Sequence, residues 1–215
     1  MSTSDASRRA VLAAAAALTA TAGLPTASEA AAAPRVAVLG DSITAGYGLP
    51  STQALPSRLQ AELARIGAPA RVLPAGVNGD TTAGGLARLD RAVPAGVDVC
   101  VVALGGNDLL RGAAPAAIRD NLDRIVRRLK ARNVTVILAG VQAPHILGGS
   151  YAREFNQAFA SVARAHRLLF LPNMLEGVAL NPDLNQRDGI HPNAAGVTLI
   201  ARRLAPVVAR GLQAG

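Results

Sequence analysis

The chain has 215 residues, of which 50% are hydrophobic and 17% are charged, and its formal net charge is +8 at pH 7. This composition is typical of a globular protein and excludes a disordered polar chain, and the length suggests one domain that buries its own core. Aromatic residues make up only 2% of the chain, so the basic charge indicates a solvated surface with some attraction to anionic lipid and argues against nucleic-acid binding.

Residues 1–33 are predicted to be an export signal. Arg8 and Arg9 precede an apolar run of about 15 residues, and Ala-rich sequence then leads to Pro34, which is the order of a secretory signal. The arginine pair also suits the twin-arginine route. A disordered Ala-rich tail or an uncleaved lipid-surface anchor is the alternative. Since the run is shorter than the roughly 20 residues of a membrane span, we expect a mature protein without membrane insertion, in the periplasm or outside the cell.

Residues 34–215 are predicted to form a single α/β domain. Helical spacing of apolar residues predicts helices at 51–66, 82–91, 115–132, 151–166 and 193–212. Short apolar runs predict strands at 35–40, 71–76, 97–104, 134–140 and 168–171. Strands that are apolar on both faces and alternate with helices predict a three-layer α/β/α sandwich with a five-stranded parallel sheet. The one cysteine, Cys100, lies in the third strand, where we expect a packed thiol rather than a nucleophile.

Three chemically informative residues follow three successive strands. Ser42 follows the first strand, Gly79 the second and Asn107 the third. Because sites in open parallel sheets form outside the carboxyl ends of the strands, we expect all three at one edge. Each residue alone also has a common structural role, as a helix cap at Ser42 and as turn or loop residues at Gly79 and Asn107.

Asp188 and His191 lie three residues apart, shortly before the last predicted helix. This spacing lets one turn bring the carboxylate to the imidazole Nδ1, which leaves Nε2 free to take a serine proton. A helix-capping Asp188 and a surface His191 are the alternative. The other histidines, His145 and His166, show no metal-ligand spacing, so no metal is expected.

Four segments carry these residues, namely 40–42 (GDS), 78–82 (NGDTT), 105–111 (GGNDLLR) and 188–193 (DGIHPN). They resemble the four blocks of the SGNH hydrolase superfamily, the GDSL-type lipases and esterases. The match is closer to its branch of bacterial thioesterase I/protease I/lysophospholipase L1 and arylesterases. The resemblance covers nearly the whole mature domain and implies a flavodoxin-like SGNH hydrolase fold.

Carried over position by position, the resemblance makes Ser42 the nucleophile, His191 the base and Asp188 its partner. The backbone N–H groups of Ser42 and Gly79, together with the amide of Asn107, would then form the oxyanion hole. The family uses the loop at 142–150 to accommodate the acyl chain, and this chain departs from the family there. The residues expected to line an acyl pocket are Leu109, His145, Ile146 and Leu147.

The sequence therefore predicts an exported serine hydrolase that cleaves carboxylic esters or thioesters through an acyl-enzyme. It needs no cofactor, and its partner is a small ester, thioester or lysolipid. The natural substrate and the oligomeric state stay open, with a monomer expected. Because a neutral imidazole acts as base, activity should rise through roughly pH 6 to 7. The alternatives are a carbohydrate O-acetylesterase and a non-catalytic exported module that binds lipid.

Overall fold

A computed structural model describes residues 33–214. The predicted export signal at 1–33 therefore lies almost wholly outside the described residues. Within residues 33–214, no helix combines the length and the apolar character that crossing a membrane requires.

The five predicted strands form one parallel sheet, which confirms the predicted fold class. The sheet order is β2-β1-β3-β4-β5. The strands are β1 Arg35–Gly40, β2 Arg71–Gly76, β3 Val99–Ala103, β4 Thr135–Ala139 and β5 Leu169–Leu171. The inner strands β1, β3 and β4 are buried along nearly their whole length, as expected for strands covered on both faces. The expectation fails at the edges, because β2 alternates between buried and exposed residues and β5 is half-buried throughout.

Helices cover both faces of this sheet. They are α1 Ser42–Ala45, α2 Leu55–Arg65, α3 Thr82–Ala87, α4 Leu89–Ala92, α5 Gly106–Leu110, α6 Pro115–Lys130, α7 Gly149–His166 and α8 Ala194–Gln213, with short 3₁₀ turns at Ser51–Gln53 and His145–Leu147. On one side α2 packs against α8, and on the other α6 packs against α3 and α7. The layers are therefore those of an α/β/α sandwich.

The core is aliphatic, as the shortage of aromatic residues requires. Leu55, Leu59 and Leu63 of α2 are fully buried, and so are the apolar residues at helical spacing on α6, namely Ile118, Leu122, Ile125 and Leu129. Burial of Cys100 raises the pKa of its thiol to about 12, so it stays protonated at neutral pH. This result agrees with a packed structural thiol.

The sheet order creates a crevice between β1 and β3. The chain adds β2 on one side of β1 and then crosses to the other side to form β3. At such a switch point the loops after the two central strands diverge and leave room for a ligand. Ser42 follows β1 and Asn107 follows β3, so both lie at this crevice.

Candidate active site

Ser42 is the first residue of α1 and lies directly beyond the end of β1. Asp41 caps the helix by accepting a hydrogen bond from the N–H of Ile43 at 3.0 Å. The sharp turn depends on Gly40, because a Cβ added there would lie 2.9 Å from the carbonyl oxygen of Ala103. Ser42 is 8% exposed, so the turn presents its side chain at a largely covered surface.

Ser42, His191 and Asp188 form one chain of hydrogen-bonding contacts. The Nε2 atom of His191 lies 3.0 Å from Oγ of Ser42. On the other side of the ring, Nδ1 lies 2.7 Å from Oδ2 of Asp188. If Nδ1 carries the proton and donates it to Asp188, Nε2 is left as an acceptor for the serine hydroxyl. This arrangement can transfer a proton from Ser42 to the imidazole.

The Asp188 carboxylate is held by the turn that carries it. Its Oδ1 accepts the N–H groups of Ile190 at 2.9 Å and His191 at 3.0 Å. The backbone hydrogen bond from His191, its side-chain hydrogen bond and the bond from Ile190 lower the pKa of Asp188 to about 2. The residue is therefore ionised at every pH at which a histidine titrates.

Two backbone N–H groups point to the binding of an anion. Within residues 33–214, neither the N–H of Ser42 nor the N–H of Gly79 donates to an acceptor. Gly79 has a φ of +74°, a left-handed conformation that favours glycine at this position. Unpaired N–H groups beside a nucleophile are the geometry that stabilises an oxyanion.

The third predicted donor, Asn107, lies in α5 beside these groups. Its Nδ2 donates to the carbonyl of Asp80 at 2.9 Å and lies 3.5 Å from Oδ2 of Asp41, which is a long contact. The amide therefore has one hydrogen firmly engaged and a second that a better acceptor can take.

Arg88 ties the loop of Gly79 to the end of β1, a role that the sequence did not reveal. Its Nε donates to Oδ2 of Asp80 at 2.7 Å and its Nη2 donates to the carbonyl of Gly40 at 2.9 Å. Both side chains of the Arg88–Asp80 ion pair are largely buried. Because Asp80 also accepts from Asn107, Arg88 connects the strand that leads to Ser42 with both of the other donors.

A second set of contacts holds the same loop from the side of α5. The guanidinium of Arg111 donates to the carbonyl of Gly79 at 2.9 Å. The buried carboxylate of Asp108 accepts from the hydroxyl of Thr82 at 2.6 Å and from its N–H at 2.8 Å. Asp108 thus fixes the start of α3, and Arg111 holds the loop of Gly79.

Asp41 is a buried carboxyl group next to Ser42. Burial raises its pKa to about 6, although the hydrogen bond from Ile43 and the charge of His191 act in the opposite direction. The ordinary pKa of an aspartate is 3.8, so the Asp41 carboxyl group of the folded chain keeps its proton up to a pH close to that at which an imidazole titrates.

Tyr47 and Gln186 also belong to the site, and the sequence did not single them out. The ring centroid of Tyr47 lies 4.6 Å from that of His191, with 37° between the planes. The Nε2 of Gln186 donates to the carbonyl of Tyr47 at 2.7 Å, and the N–H of Gln186 donates to the carbonyl of His191 at 2.8 Å. The contact between Gln186 and Tyr47 joins residues that are 139 positions apart, so no local pattern in the sequence could predict it.

The residues predicted to line an acyl pocket differ in how far they are buried. Leu109 is half-buried and packs against the core, whereas Ile146 is 91% and Leu147 is 50% exposed. The backbone of His145 begins the 3₁₀ turn of the loop after β4. Because that loop follows a parallel strand, it lies at the same edge of the sheet as Ser42.

Two further features concern the binding of other ligands: a cavity, and the spacing of possible metal ligands. A cavity of about 510 Å³ lies where β4 and β5 begin, at the opposite edge of the sheet, and its lining includes Lys130, His166 and Arg210. The ends of α6, α7 and α8 meet there, so the basic side chains complement helix C-termini. In the part of the chain that is described, no three His, Cys, Asp or Glu side chains cluster as metal ligands.

The chain is similar to known proteins over most of its length. A sequence model of the GDSL-like lipase/acylhydrolase family matches residues 38–199. The esterase TesA of Pseudomonas aeruginosa is 38% identical over 182 residues, which cover 83% of this chain and 89% of that protein. The thioesterase 1/protease 1/lysophospholipase L1 of Escherichia coli K12 is 35% identical over 188 residues, covering 83% of this chain and 87% of its own length.

A solved structure is similar along the same part of the chain. The crystal structure of AlinE4, an SGNH-hydrolase family esterase, has 40% sequence identity and a TM-score of 0.69. The match covers 84% of this chain and 97% of that one. The similarity thus extends over nearly the whole α/β domain.

Proposed function

We propose that this chain, which belongs to the GDSL-like lipase/acylhydrolase family and is an ester hydrolase, acts as a serine hydrolase. In this proposal Ser42 is the nucleophile, His191 is the general base, and Asp188 is the residue that orients the imidazole. The observation that carries this proposal is the contact chain in which Nε2 of His191 lies 3.0 Å from Oγ of Ser42 and Nδ1 lies 2.7 Å from Asp188.

In the acylation step, Nε2 of His191 removes the proton of Ser42 while Oγ attacks the acyl carbon. The carbonyl oxygen becomes an oxyanion and accepts hydrogen bonds from the N–H of Ser42, the N–H of Gly79 and the amide of Asn107. The ionised Asp188 stabilises the positive imidazolium without taking its proton. When the tetrahedral intermediate collapses, His191 gives its proton to the leaving alcohol or thiol, and the acyl group stays on Ser42.

Deacylation repeats these steps with water as nucleophile. His191 takes a proton from water, the resulting hydroxide attacks the acyl carbon, and the same three donors hold the second oxyanion. Collapse breaks the bond to Oγ, the proton returns to Ser42 and the carboxylic acid leaves. Every proton is carried by a residue of the chain, so the two steps balance without a cofactor.

For the substrate we propose small carboxylic esters, acyl thioesters and lysolipids, because the two relatives are named as an esterase and as a thioesterase and lysophospholipase. The exposed Ile146 and Leu147 and the half-buried Leu109 favour contact with an acyl chain. They count against the alternative of a carbohydrate O-acetylesterase, whose acyl group is short. We further propose export, by the twin-arginine route, on the basis of Arg8, Arg9 and the apolar run that follows.

The proposal is tested by hydrolysis of p-nitrophenyl esters of increasing acyl length by the wild type and by Ser42→Ala. We expect the wild type to cleave esters beyond acetyl and the variant to lose nearly all turnover. Equal rates in the two proteins would contradict the role of Ser42. Cleavage of acetyl esters alone would favour the O-acetylesterase.

A further inference from the structure

Tyr47 presents an aromatic ring to the solvent beside the proposed base. Its ring centroid lies 4.6 Å from that of His191, and the residue is 49% exposed. Aromatic residues are scarce in this chain. Phe155 and Phe159, by contrast, pack against each other in the core. Tyr47 is therefore an aromatic residue that contacts the imidazole and does not belong to the core.

The backbone of Tyr47 is tied to both partners of the proton transfer. Its N–H donates to the carbonyl of Ser42 at 3.0 Å. Its carbonyl accepts from Gln186, which in turn donates to the carbonyl of His191. These bonds hold the backbone of Tyr47 at a fixed place relative to Ser42 and His191, and the ring extends from that backbone to the imidazole.

The two glycines that flank Tyr47 are required for this turn. Gly46 has a φ of +76° and Gly48 a φ of +73°. A Cβ at Gly46 would lie 2.5 Å from Cβ of Ala54, and one at Gly48 would lie 2.3 Å from Oε1 of Gln186. The chain therefore forms a specific turn that brings a tyrosine to this spot.

The chemistry of acylation determines what lies beside the imidazole. His191 must give its proton to the departing oxygen or sulfur, so the leaving group has to sit next to Nε2. The carbonyl oxygen points instead toward the donors on Gly79 and Asn107. A ring in contact with His191 and half open to solvent is thus placed to touch the leaving group rather than the acyl chain.

We propose that Tyr47 is a specificity-determining residue that favours aryl leaving groups, a preference that rests on the proposed serine-hydrolase function. Stacked or edge-to-face contact between two aromatic rings is worth roughly a two- to tenfold change in a rate constant for aryl over alkyl leaving groups. Ile190, an apolar residue that is 54% exposed, directly precedes His191 in the chain.

The test compares phenyl acetate with trifluoroethyl acetate, which give the same acetyl-enzyme. The value of kcat/KM reports acylation, in which the leaving group is present, whereas deacylation follows its departure. In Tyr47→Leu we expect kcat/KM for phenyl acetate to fall roughly two- to tenfold more than kcat/KM for trifluoroethyl acetate. The deacylation rate should be the same from either substrate. Tyr47→Phe, which keeps the ring, should retain the wild-type ratio.

Two outcomes would overturn this inference. If Tyr47 only braces the imidazole, Tyr47→Leu will slow both substrates and deacylation by one common factor. If Tyr47→Phe loses the aryl preference as fully as Tyr47→Leu, the ring is not the cause. Tyr47→Met serves as a second variant without a ring should the leucine variant fail to fold. A wild type that cleaves neither acetate, and no p-nitrophenyl ester of longer acyl chain, would instead refute the proposed function itself.

Discussion

The Nε2 atom of His191 lies 3.0 Å from Oγ of Ser42, although 149 residues separate them in the chain. Ser42 is brought there by the turn after β1, and His191 by the segment that leads into α8. Asn193 caps α8 by accepting from Ala195 at 2.9 Å and Gly196 at 3.1 Å, which fixes the start of that helix at Ala194, three residues after His191. The proposed proton transfer thus depends on contacts between the two ends of the domain.

Replacing Asp188 by Asn should lower kcat by a factor on the order of 10³–10⁴ for p-nitrophenyl butyrate at pH 7.5, because the amide cannot stabilise the imidazolium and favours the wrong tautomer. The Nδ1 contact of 2.7 Å is the one that this variant alters. Asp183→Asn is the matched control, since Asp183 is an exposed carboxylate in the same segment. A similar loss in both variants would mean that general surface charge, and not orientation of His191, sets the rate.

Asn107→Ala should reduce kcat about 10²- to 10³-fold with little change in KM, because the amide is needed mainly in the transition state. The side chain also bonds to the carbonyl of Asp80, so the melting temperature has to be followed in parallel. A rise in KM at constant kcat would show that Asn107 binds the ground state and is not an oxyanion donor.

Arg88→Met should lower kcat at least tenfold and leave the pH dependence of the rate unaltered. The substitution removes the contacts that hold the proposed oxyanion donors on Gly79 and Asn107 in place, but it changes no contact of His191. It should also destabilise the fold by roughly 3 kcal/mol, since it leaves the largely buried Asp80 carboxylate without its cation. Arg91→Met removes an exposed arginine from α4 as the control. Steady-state kinetics and thermal unfolding of the two variants check this prediction, and unchanged kcat in Arg88→Met would refute it.

Asp41→Asn should flatten the pH dependence of stability. The pKa of Asp41 is raised from 3.8 to about 6, so between these values the folded chain holds a proton that the unfolded chain has released. Stability from this group is therefore present at low pH and is lost as the pH rises through about 6. From pH 4 to 7 the free energy of unfolding should fall by roughly 1–3 kcal/mol more in the wild type than in the variant. Denaturant titrations at both pH values measure it, and parallel pH profiles would show the prediction to be wrong.

Much of the fold could be predicted because its signals are local. The bounds of β1 and β2 were predicted correctly, since a glycine ends each apolar run. The predicted helix at 82–91 was wrong as one unit: it divides at Arg88 into α3 and α4, where the side chain turns inward to Asp80 and Gly40. The short helix α5 was also missed, because five residues are too few for a periodic pattern.

The candidate site was predictable only where a residue's chemistry is visible in its type. Ser42, Asp188 and His191 stand out by their type and spacing, and the structure brings them together. Arg88 and Gln186 act through backbone carbonyls 48 and 139 residues away, and no local pattern announces such contacts.

The most direct test of the account is reaction of the whole protein with a fluorophosphonate, followed by intact mass and peptide mapping of the wild type and Ser42→Ala. A nucleophile activated by His191 should take up one phosphonyl group per chain, on Ser42, with loss of esterase activity in step with labelling. Ser42→Ala should remain unlabelled and inactive. A wild type that hydrolyses esters while Ser42 stays unmodified, or a label on another residue that abolishes activity, would contradict the central claim.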